Sequence, residues 1–203
     1  MISLTTLVPL LIFAFVTSTT PGPNNVMLMA SGMNFGLKAS LPHMSGVALG
    51  FPVMIVLVGL GLMQVFELVP YSLMALKIVS LCYLLYLAWR IATTTTLNTG
   101  TKASRPLRFI QAALFQWVNP KAWAMALTAI SLYTPEARPI SSVFIVAMAF
   151  VISGTFSSTT WTLLGQQLKR FLNDPRKLRA VNIVMAVLLV ATLLPVLFGA
   201  GFG

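Results

Sequence analysis

The feature that most limits this chain is a series of long runs with no acidic or basic side chain. Residues 1–37, 39–66, 139–168 and 180–203 hold no Lys, Arg, Asp or Glu. Residues 68–89 are interrupted only by Lys77, and residues 109–135 only by Lys121. A helix needs about 20 mainly apolar residues to cross the hydrocarbon core of a bilayer. The spacing therefore predicts an all-α membrane protein with six transmembrane helices, at roughly 4–30, 41–65, 70–92, 108–132, 140–165 and 180–199. Composition agrees: of 203 residues 58% are hydrophobic and 8% charged, where a soluble domain carries about a quarter charged. The whole chain, 1–203, reads as a single transmembrane domain.

Thirteen Lys and Arg against three acids give a formal charge of +10. In a soluble protein that balance would suggest nucleic acid as a partner. A basic groove needs a water-facing surface, and so apolar a chain does not supply one, which excludes nucleic acid. Ten of the cations fall in the connections 1–2, 3–4 and 5–6: Lys38; Arg90, Lys102, Arg105 and Arg108; Lys169, Arg170, Arg176, Lys177 and Arg179. Connections 2–3 and 4–5 hold Arg138 alone, with Glu67 and Glu136. Lys and Arg in short loops set orientation, so the basic loops are expected in the cytoplasm and both termini outside.

The connections themselves are expected at Asn34–Ser40, around Glu67, along the Thr-rich stretch Thr93–Leu107, at Thr134–Pro139 and at Lys169–Arg179. Pro70 suits the first turn of helix 3. No basic residue occurs in the first twenty positions, so the first segment reads as a retained span and not a cleaved signal. One cysteine, Cys82, and one histidine, His43, exclude an internal disulfide and Cys- or His-cluster metal sites. No cofactor is predicted. The spans hold no nucleophile–base pair or acid pair that would suggest an enzyme.

Two of the six helices should break. Helix 1 contains Thr20-Pro21-Gly22-Pro23-Asn24-Asn25, whose two prolines remove backbone donors and clash with the preceding turn. Helix 4 contains Gln116-Trp117-Val118-Asn119-Pro120-Lys121, again a proline inside an apolar span with an asparagine beside it. Pro23 and Pro120 are offset by 97 residues, nearly half the chain, so halves of about 1–100 and 101–203 each start with a broken helix. Three crossings per half would make the two repeats inverted. Paired interrupted segments at matching positions point to a transport site, because freed N–H and C=O groups must be buried in protein or line a wet cavity. Two ordinary proline kinks in a packed bundle are the alternative.

Lys121 lies about 13 residues into helix 4, ~20 Å along its axis and beyond easy snorkelling. An ammonium at that depth should face the bundle interior and find a partner. No span contains an acid, so carbonyls freed by the breaks, Asn or Gln side chains, water or an anionic ligand remain as partners. Lys121 could equally serve to tie down the break in helix 1. Lys77 lies near a helix end and can snorkel. Gly46 and Gly50 form a G-x-x-x-G pair suited to close helix packing. His43, at the inner end of helix 2, reads as an interfacial residue, with pH sensing or proton relay as the alternative. Helix 5 carries Ser153, Ser157 and Thr160 on one face, with Thr155, Ser158 and Thr159 nearby. Such hydroxyls either join helices or line a path.

With these residues in view, the sequence resembles the lysine exporter and threonine/homoserine exporter family of bacterial amino-acid translocators. The resemblance rests on Thr20–Asn25, Gly46–Gly50, Tyr83–Arg90 and Phe115–Lys121, in order and at family-like spacing. The Pro-Gly-Pro-Asn-Asn version looks most like the branch that includes the cysteine/O-acetylserine exporter. The resemblance implies an inner-membrane efflux carrier for amino acids or small derivatives, driven by the proton gradient and built from inverted three-helix repeats. Many members carry aspartates where this chain has Asn24 and Phe51, which puts proton coupling and a cationic substrate in question.

The residues expected to bind substrate are Pro21, Gly22, Pro23, Asn24, Asn25, Gln116, Asn119, Pro120 and Lys121. A substrate carboxylate would meet the helix start after Pro23 and the Lys121 ammonium, since helix N-termini favour anions. The amino group would meet carbonyls freed before Pro21 and Pro120, or Asn24, Asn25 or Asn119. The expected partners are lipid and a small amino-acid substrate, with assembly into a homo-oligomer left open. A membrane thiol-redox protein would need a cysteine pair, and Cys82 is single. A non-transporting assembly or stability factor is the other class.

Overall fold

The computed structural model describes residues 4–62, 68, 71–93, 105–134, 140–171 and 174–192, and among them every regular element is helical. Glu67, Pro70, Lys102, Glu136 and Arg138 lie outside the described residues, and with them the expected connections 2–3 and 4–5 and much of the Thr-rich linker. The elements are α1 (Leu4–Thr19), α2 (Pro23–Phe35) and α3 (Leu37–Leu57), the last continued by a π turn at Val58–Leu62. Then follow α4 (Ser72–Ala92), α5 (Phe109–Phe115) with a 3-10 turn at Gln116–Val118, α6 (Pro120–Tyr133), α7 (Ile140–Lys169) and α8 (Pro175–Ala191).

Both expected breaks occur. The pair α1–α2 is bent by 54°, with Gly22 as the extended residue before α2 and Pro23 in its first turn. The second break runs through the 3-10 turn to Asn119, whose side-chain oxygen caps α6 by accepting from the Lys121 N–H at 3.2 Å. Among the described residues three helices are long and apolar enough to cross a membrane, or four when α1–α2 counts as one bent span.

Two boundaries differ from expectation. The connection Asn34–Ser40 shrinks to Gly36, and Lys38 lies in the first turn of α3. Gly36 sits at φ 80°, ψ 172°, a conformation that suits a residue without Cβ, and it turns the chain in one step. The Leu37 N–H that α3 itself cannot satisfy is taken by Gln166 Oε1 of α7 at 2.7 Å. The sixth helix starts at Pro175, not near 180, because the Asp174 carboxylate accepts the Arg176 N–H at 2.8 Å with proline in the first turn. Arg176, Lys177 and Arg179 therefore ride on α8.

The two broken helices run antiparallel. Leu10 and Ala14 of α1 share one buried cluster with Trp123, Ala126, Ala129 and Ile130 of α6, together with Phe51, Met54 and Phe150 of α3 and α7. Past the breaks, Val26, Met27, Ala30 and Met33 of α2 pack with Phe115 of α5 and with Leu84, Met185 and Leu189 of α4 and α8. The start of one broken helix thus lies beside the end of the other, and the breaks face each other between the two clusters.

Helix α7 braces this arrangement along α2. A Cβ on Gly32 would collide with the Thr162 backbone, and one on Gly165 with the Met29 backbone, so the two helices touch main chain to main chain. Gly46 and Gly50 serve the packing role read from their spacing: a Cβ at Gly50 would lie 2.6 Å from the Ala113 Cα of α5, and at Gly46 2.7 Å from the Ala112 Cβ. Helix α5 is only seven residues long, and this close contact holds it against α3.

Candidate functional site

A break in a helix exposes carbonyls on one side and N–H groups on the other. On the carbonyl side of α1 nearly all are taken by side chains. Ser18 O accepts from Asn25 Nδ2 at 2.8 Å and from Ser157 Oγ at 2.6 Å. Thr19 O accepts from Trp161 Nε1 at 3.2 Å. Thr20 O accepts from Asn25 Nδ2 at 2.8 Å and from the Lys121 ammonium at 2.6 Å. Lys121 also reaches Pro21 O at 3.5 Å. At the second break Trp117 O accepts from Trp123 Nε1 at 2.9 Å.

The partner sought for Lys121 is therefore a freed carbonyl of the other broken helix, as the tie-down reading allows. Both lone pairs of Ser18 O and of Thr20 O are occupied, so these carbonyls are not open to a substrate amino group. Gly22 makes the reach possible: a Cβ there would sit 2.7 Å from Lys121 Cδ and 3.0 Å from Nζ.

The breaks are also joined by an amide pair. Asn24 Nδ2 donates to Gln116 Oε1 at 2.8 Å, and Gln116 Nε2 donates back to Asn24 Oδ1 at 3.2 Å. Gln116 is fully buried and its Nε2 also donates to Ala112 O at 2.9 Å, which uses both of its N–H groups.

Between the breaks lies a small cavity, with about 480 Å³ of non-atom space when the open solvent at its mouth is included. It is lined by Gly22, Asn24, Asn25, Gln116, Asn119 and Lys121 from the two breaks. Of the nine expected site residues these six meet in one place. Pro21, Pro23 and Pro120 shape the breaks without lining the cavity.

The rest of the wall comes from Thr17 and Ser18 of α1, Val47 and Phe51 of α3, Ala122 and Met125 of α6, and Phe150, Gly154, Ser157 and Ser158 of α7. The hydroxyls were visible as a cluster in the sequence, although joining and lining could not be told apart. Ser157 does both, while Ser153 joins helices through Ser18 Oγ at 3.1 Å. Phe51 and Phe150 stack edge to face at 5.2 Å, and no local pattern marks either as a wall residue. Lys121 is the one ionisable residue in the lining.

His43 is buried within the bundle, 1% exposed, with Nδ1 2.8 Å from Ser31 Oγ of α2. The short Gly36 turn folds α3 directly against α2 and carries His43 beneath it.

Apolar helices around a polar cavity, with two helices interrupted beside it, describe a membrane translocator. The chain belongs to the LysE type translocator family, whose family model matches residues 15–198. It is similar to the cysteine/O-acetylserine efflux protein of Shigella flexneri serotype 5b (strain 8401), with 31% identity across 90% of this chain and 95% of that protein. The same efflux protein of Escherichia coli (strain K12) is 31% identical across 88% of this chain and 90% of its own length. No solved structure matches the chain. Membership of this family makes the chain a transporter of the amino-acid efflux class and not an enzyme.

Proposed function

We propose that the chain exports small neutral amino acids, of the cysteine and O-acetylserine kind, across the bacterial inner membrane by alternating access. The observation that carries this reading is the meeting of the two breaks around one polar cavity. The N-termini of α2 and α6 both end there, and so does the Lys121 ammonium. Helix N-termini attract anions, and Lys121 has three N–H donors, of which two point at Thr20 O and Pro21 O. The third is available to a substrate carboxylate, together with the N–H groups of Asn24 and Asn25, which have no carbonyl a turn back in α2.

The substrate amino group is assigned to the Ser158 hydroxyl and the second lone pair of Asn24 Oδ1, since Ser18 O and Thr20 O are filled. A cationic side chain would find no acid in the lining, and Phe51 presents an apolar ring where an acid is common in the family. That supports a neutral substrate. The antiparallel course of the broken helices supports six spans in two inverted repeats, rocking about the cavity. Ten cations on three alternate connections support periplasmic termini. The proton gradient is the proposed driving force.

Efflux of preloaded, radiolabelled O-acetyl-L-serine from proteoliposomes tests the reading. Lys121→Gln should slow efflux by about tenfold or more, the worth of one charge-assisted hydrogen bond. Equal rates for the two proteins would remove Lys121 from the binding role and leave it as a tie between the breaks. Cells lacking a non-transporting assembly factor would show neither amino-acid accumulation nor sensitivity to toxic amino-acid analogues.

A further inference from the structure

Glycine inside a helix is less favourable than alanine, because it has more backbone freedom to lose and packs no side chain. The other glycines among the described residues each have a visible reason. A Cβ on Gly22, Gly32, Gly46, Gly50, Gly59 or Gly165 would come within 2.7 Å of a neighbouring atom. Gly36 and Gly61 have positive φ, at 80° and 101°. Gly154, midway along the 30-residue α7, has neither reason. Beyond its own stretch of helix, a Cβ there would meet only Ala48 Cα within 4 Å, at an ordinary 3.8 Å.

The space beside Gly154 does not face lipid. With about 3.6 residues per turn, Gly154 falls between Phe150 and Ser158 on one side of α7, and both of these are buried. Met148, Ile152 and Phe156 hold the opposite, exposed side. Gly154 is nonetheless partly exposed. An inward residue can be exposed only to an internal space, and that space is the central cavity, which Phe150, Gly154 and Ser158 line in succession.

The export reading assigns the carboxylate and amino group of a substrate to Lys121, the start of α2, Asn24 and Ser158. The wall that remains is apolar: Val47 and Phe51 of α3, Met125 of α6 and Phe150 of α7. We infer that this part is the subsite for the substrate side chain and that Gly154 sets its size, leaving room for an uncharged group as large as an acetyl ester. The inference rests on the export reading and adds which part of the solute is measured. The aromatic part of the wall is stiff. Phe51 and Phe150 stack edge to face at 5.2 Å, and Phe13 stacks on Phe150 at 6.2 Å. Phe150 is 1% exposed, so it cannot swing aside without opening the core. A methyl group at position 154 therefore takes its space from the solute and not from the protein.

The test is uptake by exchange into proteoliposomes preloaded with unlabelled solute, using radiolabelled O-acetyl-L-serine and radiolabelled L-cysteine kept reduced. Gly154→Ala should raise the half-saturation concentration for O-acetyl-L-serine by about tenfold, and that for the smaller L-cysteine by no more than about twofold. Its melting temperature in detergent should stay at or above that of the wild type, because alanine is the better helix former and its methyl has room. Gly154→Val, which fills more of the subsite, should raise the half-saturation concentration for both solutes. Equal shifts for the two solutes in Gly154→Ala, or no shift in either variant, would overturn the inference. So would a marked fall in the melting temperature of Gly154→Ala, which would make the glycine a packing residue. A wild type that moves neither solute would overturn the export reading and the subsite with it, whereas an active wild type with unshifted variants overturns the subsite alone.

Discussion

At the scale of single residues, the central cavity depends on Gly22 as much as on Lys121. The lysine side chain lies where a Cβ at position 22 would be, and its ammonium reaches Thr20 O at 2.6 Å through that gap. Gly22→Ala should push the ammonium off its carbonyl without straining the backbone, because Gly22 is extended at φ −171° and any residue adopts that conformation. The expected result is export slowed by about tenfold with the melting temperature in detergent nearly unchanged. A fully active Gly22→Ala protein would show that the Lys121–Thr20 contact does not matter for transport. Lys121 stood out in the sequence because a charge deep in a span is costly. Gly22 stood out only as part of a proline motif, and its closeness to Lys121 spans about a hundred residues of chain that no local pattern connects.

At the scale of elements, the seam between α2 and α7 brings main chain against main chain. Gly32 and Gly165 each lie against the other helix's main chain, which cannot withdraw as a flexible side chain can. Gly32→Ala should therefore destabilise the protein by about 1–3 kcal/mol or more, as overpacking does. Thermal unfolding in detergent would read this as a clear drop in melting temperature, and an unchanged value would contradict the close seam. The starts of α2 and α6 were legible because each uses a proline in the first turn of a broken span, whereas the proline that starts α8 was passed over. The Gly36 turn was not legible either. A lone glycine between two apolar runs gives no sign that it will reverse the chain unaided, and the polar residues near it suggested a longer loop. The burial of His43 was hidden for the same reason, since it depends on how closely α3 returns along α2.

For the whole molecule, the proposed topology rests on the cations. Cys82 is the only cysteine, so a Cys82→Ala background carrying one introduced cysteine can report the side of any loop. Lys102→Cys should react with a membrane-impermeant thiol reagent only after cells are permeabilised, and Arg138→Cys should react in intact cells. The reverse pattern would invert the proposed orientation. Helical class, membrane residence and the two breaks could be read directly from the chain, because charge-free length and proline act locally and need no partner. The meeting of those breaks could not. Asn24 finds Gln116, and Lys121 finds Thr20, only after α1–α2 and α5–α6 pack antiparallel against α3 and α7. A polar side chain inside an apolar span must find some partner, since an unmet hydrogen bond there is expensive. Which partner it finds is settled by tertiary packing, because the candidates are far apart in sequence and become neighbours only in the folded bundle.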